Sequence, residues 1–397
     1  MTNLSDIVAI GAVRTPMGSF GGTLKDIPSY NLGAIAIKAA LQRSGLEGND
    51  VSEVFFGCCR QAGNGPNPAR SAALFAGISE KVPAATINMA CPSAMKSMIM
   101  AAQAIQTGQG DAYITGGMDS MSTIPYLLKN VRFQGFKMGD RKLEDGWSDS
   151  IDPTCGYGMG ETAENLADKY AISREDQDRF AFASHQKAVE AIDAGRFKEE
   201  IVAVTIPATN KTPEIVFDTD ETPRRATSIE QLATLKPVFR KNGSVTAGNA
   251  CGMSDGACAV ALTTREKARA IGAKPLFSLV SYSCAACDGK YMGEGPGYSI
   301  PLALEKARMS LKDMDLIEVN EAFASQILTN ERALNWDRER VNVNGGAIAL
   351  GHPTGISGAR IVVTLYHALK QRDRQLGIAA ICGGGGVTAA MIIKREN

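Results

Sequence analysis

Two cysteines and one histidine stand in settings where their types and neighbours could do chemistry. Cys91 sits in TINMACPSAMKSMIMAA, where an extended run ends at Ala90 and Pro92 opens a helix of Ala, Met and Lys. Proline suits the first helical position, so this spacing puts Cys91 at a helix N-cap on a sharp strand-to-helix turn. There the helix dipole and free N–H groups favour a thiolate and lower the thiol pKa from its usual ~8.5. Taken alone, the segment fits a small buried hydrophobe equally well. His352, one of only three histidines, lies in NVNGGAIALGHPTGISGAR among glycines that let backbone approach a ligand. A neutral imidazole there could take a proton from a cysteine or polarise a carbonyl; the alternative is a loop histidine with a structural hydrogen bond.

Cys382 ends an apolar run and is followed by four glycines, 383–386. Its thiol is expected to be exposed to the same crevice as Cys91. The glycine run, Gly384 included, supplies N–H donors able to form an oxyanion hole. Neither GxxxxGK[ST] nor GxGxxG occurs in proper context, so a nucleotide-phosphate reading of the run is weak. Asn320 and Glu321 close the strand expected over 315–319 and face the crevice, or Asn320 simply caps the helix EAFASQIL. His185 reads as structural on the helical pattern at 174–194, and His367 as a helix-surface residue. Cys284 and Cys287 form a CxxC with no second CxxC and no histidine pair, so zinc is not expected.

Elements able to position these groups are legible from texture. Residues 6–118 alternate short apolar runs (IVAIGAV, EVFFGC, DAYITGG) with Ala-rich helical periods, the pattern of βαβ units, and the texture returns from about 274. Between them, 119–249 is charged and turn-rich, with amphipathic helices at 161–170 and 174–194 and no convincing buried strand set. It reads as an inserted loop or cap domain. The flanking stretches look like copies. Leu46, Asp50, Val51, Glu53 and Val54 match Leu311, Asp315, Leu316, Glu318 and Val319 at one constant offset, and DAYITGGM matches IAAICGGG at nearly the same one. The expected domains are an N-terminal half over 1–118, completed by about 250–273, the cap over 119–249, and a C-terminal half over 274–397. Two such halves would bring their strand-end loops to one central site.

Composition excludes little else. Zero formal net charge gives no push toward nucleic acid or an anionic membrane. Nine scattered cysteines without a leader sequence read as reduced thiols in a cytoplasmic protein. The longest apolar stretch, 378–393, is broken by its glycines and too short to span a bilayer.

Together the motifs resemble the thiolase family. VRTPMGSFGG, GGMDSMSTIPY, DQDRFAFASHQKA, DTDETPRR, SVTAGNACGMSDGA, VNEAFA, NGGAIALGHPTGISGAR and CGGGG occur in the thiolase order across essentially the whole chain. The resemblance implies an α/β fold of two pseudo-symmetric halves with a layered α-β-α-β-α core. It implies an acyltransferase that cleaves a β-ketoacyl-CoA with coenzyme A, or forms one by Claisen condensation. Cys91 would carry the acyl group as a thioester and His352 would activate it. Cys382 would move a proton on and off the α-carbon of acetyl-CoA. Asn320, through a water, and His352 would hold the enolate oxygen, while the N–H groups of Cys91 and Gly384 would form a second oxyanion hole. Arg224, Ala250, Cys251, Met159 and Phe323 are the expected coenzyme A contacts. No metal or permanently bound cofactor is implied; coenzyme A and acyl-CoA are substrates. A homodimer or homotetramer is expected, with an additional protein subunit left open.

Several positions depart from the family pattern. Cys91 is followed by Pro92-Ser93-Ala94 rather than a small residue and Ser-Gly. Gly158 stands where short-chain members commonly have His, Cys251 replaces the Ser of GNASG, and Glu294 brings an acid toward the expected acyl pocket. These point to a specialised β-ketoacyl substrate rather than plain acetoacetyl-CoA. The competing readings are a ketoacyl-synthase-type condensing enzyme, disfavoured by Cys382 and the intact GHPTGISGAR, and a catalytically silent acyl-CoA-binding subunit.

Overall fold

Strands buried on both faces need helices on either side, and the apolar runs of this chain form such strands. The computed structural model describes residues 2–133, 135–208, 210 and 212–396. In chain order the strands are β1 (Ile7–Arg14), β2 (Gly18–Ser19), β3 (Glu53–Gly57), β4 (Ala84–Ile87), β5 (Ala112–Ser120), β6 (Tyr126–Leu127) and β7 (Glu144–Asp145). They continue with β8 (Val204–Ile206), β9 (Ile215–Phe217), β10 (Ser254–Thr264), β11 (Phe277–Ala286), β12 (Leu316–Val319), β13 (Leu376–Cys382) and β14 (Val387–Arg395). The helices begin with α1 (Ser29–Ser44), α2 (Pro68–Phe75), α3 (Ser93–Gln106), α4 (Met159–Lys169), α5 (Arg174–Asp193) and α6 (Ile229–Thr234). After these come α7 (Arg265–Ala270), α8 (Gly295–Ala307), α9 (Ala324–Leu334), α10 (Ala347–Leu350) and α11 (Ser357–Gln371).

The main sheet runs β12-β13-β14-β11-β1-β10-β5-β3-β4, with β2 paired to β10. Its two wings repeat one pattern. Outward from β1, the pairings with β10, β5 and β3 are antiparallel, antiparallel and parallel, and so are those from β11 through β14, β13 and β12. The offset seen in the sequence carries α1 onto α8 and α3 onto α11. Within the sheet the two wings are joined where β1 pairs with β11, at Val8 with Ser278 and Ala9 with Phe277.

Apolar packing gives the layers. Met95 and Met98 of α3 and Ile361 and Leu365 of α11 lie between the wings, in one cluster with Val260 of β10 and Met391 of β14. Leu32 and Ile37 of α1 cover the outer face of the first wing, and Ile300 of α8 and Ile327 of α9 that of the second. The order is therefore α-β-α-β-α. Each large side chain buried in the central layer contributes about 1.5–3 kcal/mol. The layer also brings the N-termini of α3 and α11 together: a Cβ on Gly358 would lie 2.7 Å from the backbone nitrogen of Met95.

The segment 119–249 carries α4 to α6 and two ribbons, β6-β7 and β8-β9. Arg14 of β1 anchors it from the core. Its guanidinium donates to both carboxylate oxygens of Asp220 (2.7 and 2.8 Å) and to Glu200 (2.6 Å), all buried. Such a set is costly to break on one side because a charge is left unpaired.

Three local expectations are corrected. The strand before Cys91 ends at Ile87, and Ala90 is not extended but left-handed, with φ 52°. Asn320 does not cap the following helix, which starts at Ala324 after Phe323. His367 is not on the surface: α11 lies in the central layer, and the ring is buried with neither nitrogen hydrogen-bonded. No helix among the described residues is long and apolar enough to cross a membrane.

Candidate active site

A left-handed backbone at a residue with a Cβ costs roughly 1–2 kcal/mol, so the turn before Cys91 needs support from outside. Ser93 supplies it. Its hydroxyl donates to the Ala90 carbonyl (2.5 Å) and accepts from the Met89 N–H (2.9 Å), while its own N–H also reaches Ala90 (3.0 Å). The Cys59 thiol donates to the same carbonyl at 3.0 Å. Pro92, not Cys91, occupies the N-cap and α3 begins at Ser93, so Cys91 stands one residue ahead of the cap position expected of it. The turn is nonetheless an elbow that presents the side chain at the start of a helix.

The thiol itself is not acidified. Desolvation pushes Cys91 up to about 11, and the N–H of Gly384, the cation of Arg60 and its own N–H pull it down by less. The expectation of a lowered pKa fails because burial outweighs the helix terminus. Gly384 reaches the sulfur because Gly383 lies flat against the elbow: a Cβ there would sit 2.5 Å from Pro92 Cδ and 3.2 Å from the Cys91 nitrogen. The glycine turn of one half thus lies against the Cys91 elbow of the other.

His352 follows α10 on a loop that crosses into the same region. Its N–H donates to Ser254 Oγ (3.2 Å) and to the Gly252 carbonyl (3.1 Å). Nδ1 lies 2.6 Å from Ser357 Oγ, and Nε2 lies 3.5 Å from Nδ2 of Asn320. The Asn320 amide is oriented from its other end, where Arg360 donates to Oδ1 at 3.5 Å. Burial, with Arg360 and Arg60 nearby, depresses His352 to about 3, so the imidazole is neutral.

Asp119, at the end of β5, ties the two loops together. One carboxylate oxygen accepts from the N–H groups of Cys59 (3.2 Å) and Arg60 (3.1 Å), and the other from Thr354 Oγ1 (2.8 Å) and the Gly355 N–H (2.5 Å). Since Cys59 also holds Ala90, a single buried carboxylate sets the Cys91 elbow against the His352 loop.

Cys382 is buried rather than exposed to the crevice, packed in a cluster with Ala163, Ala250, Met292 and Phe323, and Met159 lies against that cluster. Its thiol is pushed well up by desolvation first and then by the neighbouring Cys91, Cys287 and Cys251. A Cβ on Gly384 would fall 3.2 Å from Met159 Sδ, so this cluster borders the glycine turn. Ala250 and Phe323 bridge each other, and the Cys251 N–H donates to the Ala322 carbonyl at 3.0 Å. Burial first, and then the neighbouring Cys91, push the Cys251 thiol up. Arg224 is not brought to this group. It is exposed on the cap, and its backbone N–H donates to Nδ1 of buried His185 at 3.1 Å. Glu294 is spent internally on Lys169 (2.7 Å), Tyr170 (2.9 Å) and Tyr298 (3.3 Å), not turned toward a ligand.

Sequence reasoning missed Asp119, Ser357 and Arg60. An acid closing the otherwise apolar run AYITGGM was the one usable signal for Asp119. The other two are ordinary by type and gain meaning only from their partners.

Known proteins match throughout. Residues 7–266 match the family model of the thiolase N-terminal domain and 273–395 that of the thiolase C-terminal domain. An acetyl-CoA acetyltransferase of Pseudomonas aeruginosa is 48% identical over 99% of this chain and 100% of its own. The crystal structure of the Bacillus anthracis acetyl-CoA acetyltransferase aligns with a TM-score of 0.96 at 45% identity, covering 99% of each chain. That of human mitochondrial 3-ketoacyl-CoA thiolase aligns with a TM-score of 0.96 at 42% identity, over all of both chains.

Proposed function

This chain belongs to the thiolase family and is an acyl-CoA acyltransferase, and on that premise we propose how its residues divide the reaction. The Cys91 sulfur attacks the β-keto carbon of a β-ketoacyl-CoA, giving its proton to Nε2 of His352. The bond between the α- and β-carbons breaks, the acyl group stays on Cys91 as a thioester, and the departing acetyl-CoA enolate takes a proton from Cys382. The thiol of a second coenzyme A then attacks the thioester, and its proton passes on to the thiolate of Cys382. The imidazolium of His352 returns its proton to the released sulfur of Cys91. Run backwards, the same steps are a Claisen condensation.

The chemistry suits these groups. Passing an acyl group between sulfurs keeps the intermediate close in energy to substrate and product. N–H donors of Cys91 and Gly384 hold the oxyanion on the attacked carbonyl. His352 and Asn320, through a water, hold the enolate oxygen. Removing one such donor typically costs ~3 kcal/mol in the transition state. The thiol at about 11 and the imidazole at about 3 mean that the resting pair is uncharged, and the proton moves only once substrate is in place.

The observation that supports this reading is the seating of Gly383 against Pro92 and the Cys91 nitrogen, which sets the glycine turn of one half beside the Cys91 elbow of the other. Met159, Ala250, Cys251 and Phe323 border the site and are proposed to line the pantetheine, with Arg224 an outer contact. The activity needs no permanently bound cofactor. Residues 119–249 act as the cap between the halves at 1–118, completed by about 250–273, and 274–397. We place the enzyme in the cytoplasm as a homodimer or homotetramer.

A specialised β-ketoacyl substrate is favoured over acetoacetyl-CoA. Gly158 supports this: a Cβ there would meet only Glu161 Oε2 at 3.6 Å, so space is left where a larger side chain would fit. The test is coenzyme A-dependent cleavage of short, long, aromatic and carboxylated β-ketoacyl-CoAs by wild type and Cys91→Ala. Cleavage that vanishes in the variant upholds the mechanism. Equal rates on acetoacetyl-CoA and bulkier members would remove the specialised substrate. An inactive wild type would point to an additional protein subunit.

A further inference from the structure

The mechanism leaves one cation at the centre unused. Arg60 follows Cys59, whose thiol holds the Cys91 elbow, and its own backbone N–H is fixed on Asp119 at 3.1 Å. The guanidinium is arranged with care. It lies 4.5 Å over the ring of Trp147, and one terminal nitrogen donates to Ser150 Oγ at 2.7 Å. Both of those partners come from the cap. Among the described residues no carboxylate lies at ion-pair distance from the Arg60 guanidinium, although its charge is felt by buried Asp119, and its Nε is enclosed with no hydrogen-bond partner. Its charge nevertheless reaches both Cys91 and His352.

An enclosed guanidinium N–H without an acceptor is unfavourable unless something arrives to accept it. The planar fork matches a carboxylate in a bidentate pair, and an aromatic face beneath it fixes its plane. We propose that Arg60 is a specificity-determining residue that binds a carboxylate carried by the acyl portion of the substrate, which is then the coenzyme A thioester of a dicarboxylic β-keto acid. The inference rests on the thiolase reading of the site.

The experiment compares a β-ketoacyl-CoA bearing a terminal carboxylate with its methyl ester of equal chain length, in wild type, Arg60→Ala and Arg60→Lys. Wild type should prefer the carboxylate. Arg60→Ala should lose roughly 10- to 100-fold more in kcat/KM on the carboxylate than on the ester, where only its pull on Cys91 is lost. Arg60→Lys, which keeps the charge without the fork, should fall between, and it serves if Arg60→Ala fails to fold. Equal losses on both substrates would overturn the proposal, because Arg60 would then act on the Cys91 thiolate. A rise in KM for coenzyme A with both substrates would also overturn it, placing the cation on a coenzyme A phosphate. Cleavage of the ester alone would sink the carboxylate while leaving the thiolase reading intact; cleavage of neither would remove both.

Discussion

Ser357 fixes the tautomer of His352. Its hydroxyl lies 2.9 Å from the Pro353 carbonyl and so commits its proton there, leaving only a lone pair for Nδ1 at 2.6 Å. Nδ1 must therefore carry the ring proton, and Nε2 presents its lone pair toward Asn320 and the site. That is the form needed by a group that accepts a thiol proton. Ser357→Ala is expected to lower kcat/KM by about 10- to 100-fold, the worth of a hydrogen bond to a ring that becomes charged. The melting temperature should shift by only a few degrees. Steady-state thiolysis alongside thermal unfolding checks both; a fully active variant would remove the tautomer argument.

Asp119 should divide its two substitutions sharply. Asp119→Ala leaves the N–H groups of Cys59, Arg60 and Gly355 and the Thr354 hydroxyl without their acceptor. A loss of about 3–5 kcal/mol is expected, seen as a reduced midpoint in urea. Asp119→Asn keeps one acceptor oxygen and should fold, but its NH2 faces a donor, so turnover falls while secondary structure stays native by circular dichroism.

The two glycines beside the chemistry should behave oppositely. In Gly383→Ala the new methyl would press on Pro92 and the Cys91 nitrogen, displacing the nucleophile. A misplacement of about 1 Å can cost roughly 100-fold in rate, with little change in stability. Gly158→Ala meets open space and an ordinary helical entry at φ −74°. It should fold normally and keep acetoacetyl-CoA cleavage while losing rate on bulkier substrates. Measuring both variants on one small and one large β-ketoacyl-CoA separates the effects.

Acid should unfold this protein through its histidines. His185, His352 and His367 are depressed to about 4, 3 and 3, each first by burial, against ~6.5 in the unfolded chain. Below pH 6.5 the unfolded state binds protons that the native state refuses. The stabilising contribution is thus complete above pH 6.5 and is lost as pH falls toward 4 and then 3, at up to about 1.4 kcal/mol per pH unit for each histidine. Urea unfolding between pH 7 and 4.5 reads the slope. His367→Gln, outside the reaction, should flatten it by about one proton; an unchanged slope would clear that histidine.

What was legible in the sequence follows from what repeats locally. The strands and the duplicated halves rest on apolar period and on one offset, and both survive in the fold; the layered order is implied by the thiolase resemblance. Cys91, His352, Cys382, Asn320 and Gly384 were visible because glycine, proline or a strand end marks them. Their surroundings were not. Whether Cys91 is acidified depends on its burial weighed against the Gly384 N–H and the Arg60 cation, which no window around residue 91 contains. His367 reads as a helix-surface residue, yet it is buried on α11 between the two wings, beside Glu199 of the cap. Asp119 and Ser357 are defined by partners 235 and 5 residues away, and only the second lies within reach of a local pattern.

The seam between β1 and β11 is two residue pairs long, while His352 and Cys91 lie on opposite sides of it. Their alignment is therefore entrusted to the Asp119 clasp and to the packing of α3 on α11 rather than to strand pairing. A core change at Met95 or Gly358 that lets one wing slip by a fraction of an ångström would leave both wings folded and silence the enzyme. Turnover is in this sense a finer gauge of how the halves are seated than any melting curve.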